Sequence, residues 1–269
     1  MLRSLLSNSL SSEDIVYYVL LIPIVLFSLT IHEYAHGYAA KRCGDGTAEA
    51  FGRLTLNPAK HLDPIGALMM LLVGFGWAKP VPVNMNNLNK PKRDIGIVSF
   101  AGPLANFTAA FIATVVYTVA FRFLWTPNVI NTALGTSYYE AAKTMIVGGS
   151  APLYLDEFSK AGLYTLTFIQ LMIILNIGLG VFNLIPIPPL DGSKILASVL
   201  PNKYAAKYMN MQDTLRFVLL ILVLSSWVPL RVGGFANLSD LLFFPIDFLR
   251  EGLVKVFFYG INLIPILPH

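Results

Sequence analysis

Two long stretches of the sequence contain no charged residue, and they constrain the fold more than any other feature. Residues 95–121 provide 27 consecutive uncharged residues, and residues 161–190 provide 30. A helix of about 20 predominantly apolar residues crosses the hydrocarbon core of a bilayer. Each stretch is therefore long enough to form a membrane-spanning helix. Residues 15–31 form a shorter uncharged stretch, while 64–78 and 217–230 are ambiguous on length alone.

The composition agrees with a membrane location. Only 13% of the 269 residues are Asp, Glu, Lys or Arg and 55% are hydrophobic, whereas about 25% are charged in a typical soluble domain. This excludes an ordinary soluble enzyme and a disordered chain. A disulfide scaffold is excluded because Cys43 is the single cysteine. The net charge of +4 does not indicate a nucleic-acid partner, because the basic residues form no stripe with interleaved aromatic residues.

The basic residues indicate the topology of the chain in the membrane. Eight of the 19 Lys and Arg residues lie between positions 41 and 94, and Lys194, Lys203, Lys207 and Arg216 follow the 30-residue uncharged stretch. By the positive-inside rule, both regions are expected on the cytoplasmic side. The N-terminus and residues 126–158 are then expected outside. We expect the first helix to be retained, because the N-terminal segment lacks the basic start and the cleavage site of a signal peptide.

The predicted fold is an all-α polytopic membrane protein that forms a single domain over residues 1–269. A three-helix catalytic core is expected within about 14–200, with additional C-terminal spans within about 212–269. Gly44 is a stop signal for the first helix, and three prolines after residue 184 end the third. The expected helices cover about 14–42, 94–123, 159–184, 193–200 and 214–228, followed by an interfacial helix and a final span.

Residues 44–94 are rich in Gly, Pro and Asn and predict a different local structure. The alternating runs at 51–56 and 77–83 indicate strands or extended edges. The apolar stretch at 65–75 lies between them and has basic residues on both flanks. A full crossing would place those flanks on opposite faces of the membrane. We therefore expect a short re-entrant, β-like segment, which requires surrounding protein or a wet cavity at membrane depth.

The sequence His32-Glu33-x-x-His36 lies near the end of the first apolar helix. At about 100° per residue, the two histidines lie about 40° apart and one turn along the helix, so both can bind one ion. This is the H-E-x-x-H pattern, in which two histidines bind zinc and the glutamate is the general base. Such a short pattern also arises by chance, with histidines that are merely structural. The membrane favours the metal site, because each unpaired ionisable group there costs at least ~2.5 kcal/mol.

A catalytic zinc site usually has three protein ligands and one open position. The candidate for the third ligand is Asp191, which follows the 30-residue uncharged stretch at a point where prolines interrupt the helix. The alternative is that Asp191 caps the short helix that starts there, a role that aspartate performs well. The remaining histidines, His61 and His269, are weaker candidates for a ligand.

Two asparagines inside apolar segments are further candidates. Asn106 could hydrogen-bond the substrate backbone or a developing oxyanion, or it could join two helices near a Gly-Pro kink. Asn183 could orient Asp191 as a hydrogen-bond partner, or it could cap a helix end. The residues from Asn57 to Gly66 have the composition of an ordered loop, for which a rigid turn is the simpler interpretation.

Four motifs together resemble the site-2 protease family of intramembrane zinc metalloproteases. They are His32-Glu33-x-x-His36, the Asn57-Pro-x-x-His61-x-Asp63-Pro-x-Gly66 stretch, Gly102-Pro-Leu-Ala-Asn106 and Asn183-x-x-Pro186-x-Pro-Pro-Leu-Asp191-Gly192, in the family's order. The resemblance implies that His32, His36 and Asp191 hold Zn²⁺, that Glu33 is the catalytic base, and that the core has three helices. The chain is similar to the compact branch without PDZ or CBS domains, many of whose members are prokaryotic and lack an assigned substrate.

The expected activity is hydrolysis of peptide bonds in or near the transmembrane segments of membrane-protein substrates. The basic loops place the active site nearer the cytoplasmic side, and extended segments at 51–56 and 77–83 could capture an unwound substrate as an added strand. A metal-binding transporter or channel is the alternative function, although it needs several carboxylates along a path. An inactive scaffold would normally lack Glu33 or a ligand. Another class of membrane zinc protease would take its third ligand from a later glutamate.

Overall fold

The computed structural model describes residues 12–73, 77–124, 160–224, 247–249 and 251–257. Within these ranges the elements in chain order are α1 (Ser12–Arg42), α2 (Thr47–Ala50), α3 (Pro64–Val73), α4 (Pro91–Leu124), α5 (Lys160–Leu184), α6 (Asp191–Val199), α7 (Asn202–Asn210) and α8 (Gln212–Leu224). Two 3₁₀ turns cover Pro58–Lys60 and Met85–Asn87. Residues 247–249 and 251–257 are also helical.

Three of these helices are long and apolar enough to cross a membrane. The candidate spans are Ile15–Arg42 in α1, Pro91–Ala120 in α4 and Tyr164–Leu184 in α5, with 28, 30 and 21 residues. Large apolar side chains on their outer faces, such as Val19 and Ile112, are exposed, as expected for helices that face lipid. The chain is therefore an all-α integral membrane protein, and the helices predicted at 14–42, 94–123 and 159–184 are confirmed within a few residues.

Helix α4 is central to the packing, because it contacts α1, α5 and α6. The main apolar cluster lies between α4 and α5 and includes Ala110, Ala113, Tyr117, Ile173 and Ile177. Lipid tails are as apolar as these side chains, so association of helices in a membrane depends on close packing, which small residues permit. The two alanines therefore allow α5 to approach α4 closely.

The helix ends follow the signals in the sequence. After α1, Gly44 adopts φ 105°, a left-handed conformation that glycine reaches without steric cost. After α5, the proline-rich stretch ends the helix, and α6 starts at Asp191, close to the predicted 193–200. The predicted span at 214–228 corresponds to α8 as far as Leu224. Its remainder, and most of the predicted C-terminal segments, lie outside the described residues.

The region between α1 and α4 differs in part from the prediction. Residues 51–56 form turns rather than a strand, because Gly52 adopts φ 62° and the amides of Gly52 and Arg53 bond back to Glu49 and Ala48. Residues 77–83 belong to no helix, and Ala78 forms a single bridge. Over the part of the chain that the structure describes there is no sheet, and an isolated antiparallel bridge joins Leu62 to Ala78.

Asp45 connects the end of α1 to the segment before α4 through hydrogen bonds. Its carboxylate is fully buried and accepts hydrogen bonds from the backbone amides of Thr47 and Asn84 at 3.0 and 2.7 Å and from the side chain of Asn87 at 3.1 Å. Burial alone raises the pKa of this carboxyl, but the hydrogen bond from the Thr47 hydroxyl, together with the three above, outweighs burial and lowers the pKa below the ordinary 3.8. The ionised form therefore stabilises the loop.

Replacing Asp45 with alanine is expected to destabilise the protein by about 3 kcal/mol, because several donors lose a charged acceptor. Thermal unfolding in detergent micelles measures the change. Glu49→Ala is the control, since its ion pair with Lys41 is exposed and is expected to contribute less than about 1 kcal/mol. An equal loss in both variants would contradict this role for Asp45.

The same carboxylate predicts a pH dependence. A group whose pKa is lower in the folded state stabilises that state above its unfolded pKa, and the contribution is lost as the pH falls towards the folded value. The advantage of the wild type over Asp45→Asn should therefore be complete at pH 7 and shrink below about pH 4. Unfolding temperatures of both proteins between pH 7 and pH 3 test this, and an advantage that grows with acidification would contradict it.

Candidate metal centre

Three buried side chains from two helices converge on one point. His32 and His36 lie one turn apart on α1, and their Nε2 atoms are 3.1 Å apart. Asp191 is the first residue of α6, and its Oδ2 lies 3.1 Å from both Nε2 atoms. The three residues are only 6, 8 and 7% exposed. The structure thus brings together the three ligands that the sequence predicts, although 159 residues separate His32 from Asp191.

The local structure around Asp191 distinguishes between its two predicted roles. The residue before α6 is Leu190, and no side chain caps the helix. Asp191 therefore does not act as the cap, and its carboxylate turns to the histidines instead. Burial alone raises the pKa of the Asp191 carboxyl, but when the imidazoles are protonated their Nε2–H groups outweigh burial and hold its pKa far below the ordinary value.

The hydrogen bonds at Nδ1 of His32 and His36 determine whether Nε2 of each ring carries a hydrogen. His32 Nδ1 lies 2.6 Å from Asn106 Oδ1, and His36 Nδ1 lies 2.7 Å from the carbonyl oxygen of Val98. Both partners are acceptors, so each Nδ1 must carry a hydrogen and donate it. In a neutral imidazole the other nitrogen is then an acceptor. The two Nε2 lone pairs therefore face the carboxylate oxygen of Asp191.

This donor set fits a zinc ion. Three acceptor atoms at 3.1 Å from one another repel each other unless a cation lies among them. Zinc binds nitrogen and oxygen at about 2.0–2.2 Å in a tetrahedral arrangement, which places neighbouring ligands about 3.3 Å apart. Two histidines and a carboxylate also leave a fourth position open for water, as catalytic zinc sites do. Other groups with three suitable ligands are not found among the described residues.

Asn106 on α4 links the site to all three spans. It is fully buried, and its Oδ1 accepts from His32 while its Nδ2 donates to Asn176 Oδ1 at 2.8 Å and to the Ser28 carbonyl at 3.2 Å. These contacts correspond to the predicted helix-joining alternative, and they also orient a ligand. Sequence reasoning missed Asn176. The sequence pattern that could have indicated Asn176 is the same as for Asn106, because both are amide side chains inside long uncharged stretches.

Gly102 provides the space that the two imidazoles occupy. A Cβ atom at this position of α4 would lie 2.5 Å from His36 Nε2 and 2.7 Å from His32 Cε1. Real Cβ atoms do not approach other heavy atoms this closely. The rings cannot easily move away, because hydrogen bonds hold their outer nitrogens. The close approach of α4 to the histidines therefore requires glycine here.

Glu33 follows His32 on α1 and is held by the extended segment. Its Oε2 accepts a hydrogen bond of 2.8 Å from the backbone amide of Val81. That segment is fixed in turn by Lys79, whose amide donates to the His61 carbonyl at 2.9 Å and whose carbonyl accepts from Arg53 at 2.6 Å. The predicted catalytic base is thus oriented by the backbone of a separate segment.

The other predicted positions have local roles. Asn183 Nδ2 donates to the Leu179 carbonyl at 2.9 Å, which keeps it within α5 and outside the hydrogen-bond network of the three ligands. Asn57 accepts from the amide of Ala59 at the start of a 3₁₀ turn, and Asp63 accepts from the first amides of α3. The residues from Asn57 to Gly66 therefore form the ordered turn that is the simpler interpretation of their sequence.

Replacing Asn106 with alanine is expected to weaken zinc binding by about 10- to 100-fold, as loss of a ligand's hydrogen-bond partner typically does. Metal titration against a competing chelator measures the affinity. Asn183→Ala is the matched control and should change the affinity less than about twofold, because its hydrogen bond lies within α5. Equal losses in both variants would contradict the orienting role of Asn106.

Comparison with known proteins identifies relatives of the chain. Residues 20–226 match the model of peptidase family M50. "Putative zinc metalloprotease YwhC" of Bacillus subtilis is 37% identical over 203 residues, which cover 76% of this chain and 78% of that protein. "Putative zinc metalloprotease Rip2" of Mycolicibacterium smegmatis is 29% identical over 65% of this chain and 55% of its own length.

Rip2 of Mycobacterium tuberculosis strain H37Rv is 27% identical over 84% of this chain and 73% of that protein. No solved structure gave a significant match. The family match extends from within α1 to beyond the end of α8 and includes His32, His36 and Asp191. The chain therefore belongs to peptidase family M50, the site-2 protease family that its four motifs indicate.

Proposed function

We propose that this protein is an intramembrane zinc endopeptidase that cleaves peptide bonds in or near transmembrane segments of other membrane proteins. The observation that carries the proposal is the buried triangle of His32 Nε2, His36 Nε2 and Asp191 Oδ2, with sides of 3.1 Å, beside the carboxylate of Glu33. The names of the relatives, which describe zinc metalloproteases, agree with it. We propose that the core and the C-terminal spans form a single domain.

The roles of the ligands follow from their chemistry. His32, His36 and Asp191 would hold the ion, and Asn106 and Val98 would fix the two rings through their Nδ1 hydrogens. A zinc ion in such a site supplies Lewis acidity, which lowers the pKa of a bound water to about 7 and polarises a carbonyl. Burial of the ligands keeps bulk water away from the charges and strengthens their interactions.

Glu33 is suited to carry the proton of the reaction. The Val81 amide occupies Oε2, so we assign proton transfer to Oε1. Oε1 accepts a proton from the attacking water as the oxygen–carbon bond forms at the peptide carbonyl. The same oxygen then delivers that proton to the leaving nitrogen as the carbon–nitrogen bond breaks. The backbone donor keeps the carboxylate in one orientation through both steps.

A membrane helix must unwind before cleavage, because its carbonyls are hydrogen-bonded within the helix. We propose that the extended segment 77–83 captures the unwound substrate. Lys79 and Val81 direct their amides to His61 and Glu33, so Pro80 and Pro82 face the opposite edge, where they have carbonyls but no N–H groups. The substrate strand would therefore donate its own amides to these two carbonyls.

The neighbouring charges support a location for the site in the membrane. The ligand-bearing part of α1 ends with Lys41 and Arg42, and α3 is too short to cross the bilayer, because ten residues extend only about 15 Å. We propose that α3 is re-entrant and that the active site opens nearer the cytoplasmic side of a prokaryotic cell membrane. A transport function would need further ligands along a path, and the described residues hold one such cluster.

Glu33→Gln is expected to abolish cleavage, with a loss of at least about 100-fold, while zinc content stays at the wild-type level. Asp191→Asn should lower both zinc content and cleavage, because it removes a ligand. Metal analysis and cleavage of a single-span membrane protein by purified enzyme separate the two effects. Cleavage by Glu33→Gln at the wild-type rate would exclude the proposed mechanism.

Val81→Pro removes the amide that orients Glu33 and is expected to lower kcat by about tenfold or more, as loss of a hydrogen bond to a charged group suggests. Zinc content should not change, since Val81 is not one of the three candidate ligands. Val81→Ala, which keeps the main-chain amide, is the matched control and should retain most activity. A kcat in Val81→Pro that equals that of Val81→Ala would contradict the positioning role of the Val81 amide.

A further inference from the structure

A cleft of about 710 Å³ lies between the start of α4 and the last turns of α6. Its mouth carries the cationic side chains of Lys90, Lys92 and Arg93, and no acidic side chain lines it. None of these residues takes part in the metal centre. The cleft therefore needs an explanation separate from the proposed peptidase activity.

The polarity of the cleft changes along α4. Arg93, Ile97 and Phe100 are spaced four and three residues apart, so they lie on one face of the helix over roughly 10 Å. Ile97 and Phe100 are 47 and 42% exposed, and Val199 on the α6 side is 73% exposed. A cationic region is thus followed by an uncovered apolar region along one helix face.

Lys92 contributes positive charge to the mouth of the cleft. The ammonium of Lys92 donates to neutral acceptors, the Leu200 carbonyl at 2.6 Å and Asn202 Oδ1 at 2.8 Å, so its charge is not neutralised by these bonds. Arg93 forms an ion pair with the fully buried Asp94 and therefore adds less net charge. The ligand that fits this arrangement has an anionic head.

The bilayer places lipid at this position. The candidate span in α4 has 30 residues and is therefore roughly 45 Å long, whereas the hydrocarbon core is about 30 Å thick. The cationic first turn of α4 therefore extends into the headgroup region, while Ile97 and Phe100 lie deeper. We propose that this cleft binds an anionic phospholipid, with its phosphate among Lys90, Lys92 and Arg93 and an acyl chain along Ile97, Phe100 and Val199.

Bound lipid would hold α4 and α6 together. The two helices touch at the cleft, where a Cβ atom on Gly96 would collide with the side chain of Ser198. Asp191 lies at the opposite end of the same short helix α6. An anionic lipid that bridges the helices would therefore favour the position of α6 from which Asp191 reaches the histidines.

The test uses the full-length protein in mixed vesicles of phosphatidylglycerol and phosphatidylcholine. After extraction in mild detergent, lipids that remain bound are counted by native mass spectrometry. Wild type should retain phosphatidylglycerol in preference to phosphatidylcholine. Lys90→Gln/Lys92→Gln should reduce that preference by about fivefold for each cation removed. Lys203→Gln/Lys207→Gln is the matched control, because it removes two exposed cations of α7 outside the cleft.

A second variant tests the apolar part of the cleft, where the acyl chain is proposed to lie. Val199→Gln keeps all three cations and should still lower retention, because it makes one wall of the acyl-chain region polar. Unchanged retention in Val199→Gln, or displacement of the lipid by millimolar inorganic phosphate, would indicate a phosphate site and overturn the proposal. Equal retention in the two lysine double variants would also overturn it. Wild-type zinc content in each variant shows that the protein has folded.

Discussion

Three acceptor atoms face one another at 3.1 Å inside the membrane protein, and their mutual repulsion is the constraint on which the structure depends. Histidine hydrogen bonds to Asn106 and Val98 direct both Nε2 lone pairs to the same point. The amides of Asn106 and Asn176 next to them are hydrogen-bonded in turn, as burial in an apolar medium requires. The arrangement is stable only with a cation or a proton at its centre. Metal binding therefore stabilises the packing of the helices that carry the three atoms.

The surrounding fold meets this requirement through separate elements with different tasks. Helix α1 carries the two histidines and Glu33, α6 brings Asp191, and α4 holds the rings from behind without contributing a ligand. The extended segment 77–83 orients Glu33 through a main-chain amide. Because the ligands are held by α1, α4 and α6 while Glu33 is oriented by segment 77–83, the affinity for metal and the orientation of the base can vary separately.

Much of this could be predicted from the sequence, because the signals were strong. Uncharged stretches fixed the three spans, and helical periodicity placed His32 and His36 on one face. The contact with Asp191 depended on long-range packing, which spacing alone left undecided. The turns at 51–56 were mistaken for a strand because Gly52 overrides the alternating pattern there. Asn176 was missed although its isolation among apolar residues was visible, since a lone amide does not reveal its partner.

Helix α4 holds both imidazoles, so its position affects the geometry of the metal site. Val98 and Asn106 are eight residues apart, roughly 12 Å along α4. Val98 accepts a hydrogen bond from His36, and Asn106 accepts one from His32. A small slide of α4 past α1 would pull on both rings in the same direction. The geometry of the ion site therefore depends on the position of these two neighbouring membrane helices along each other.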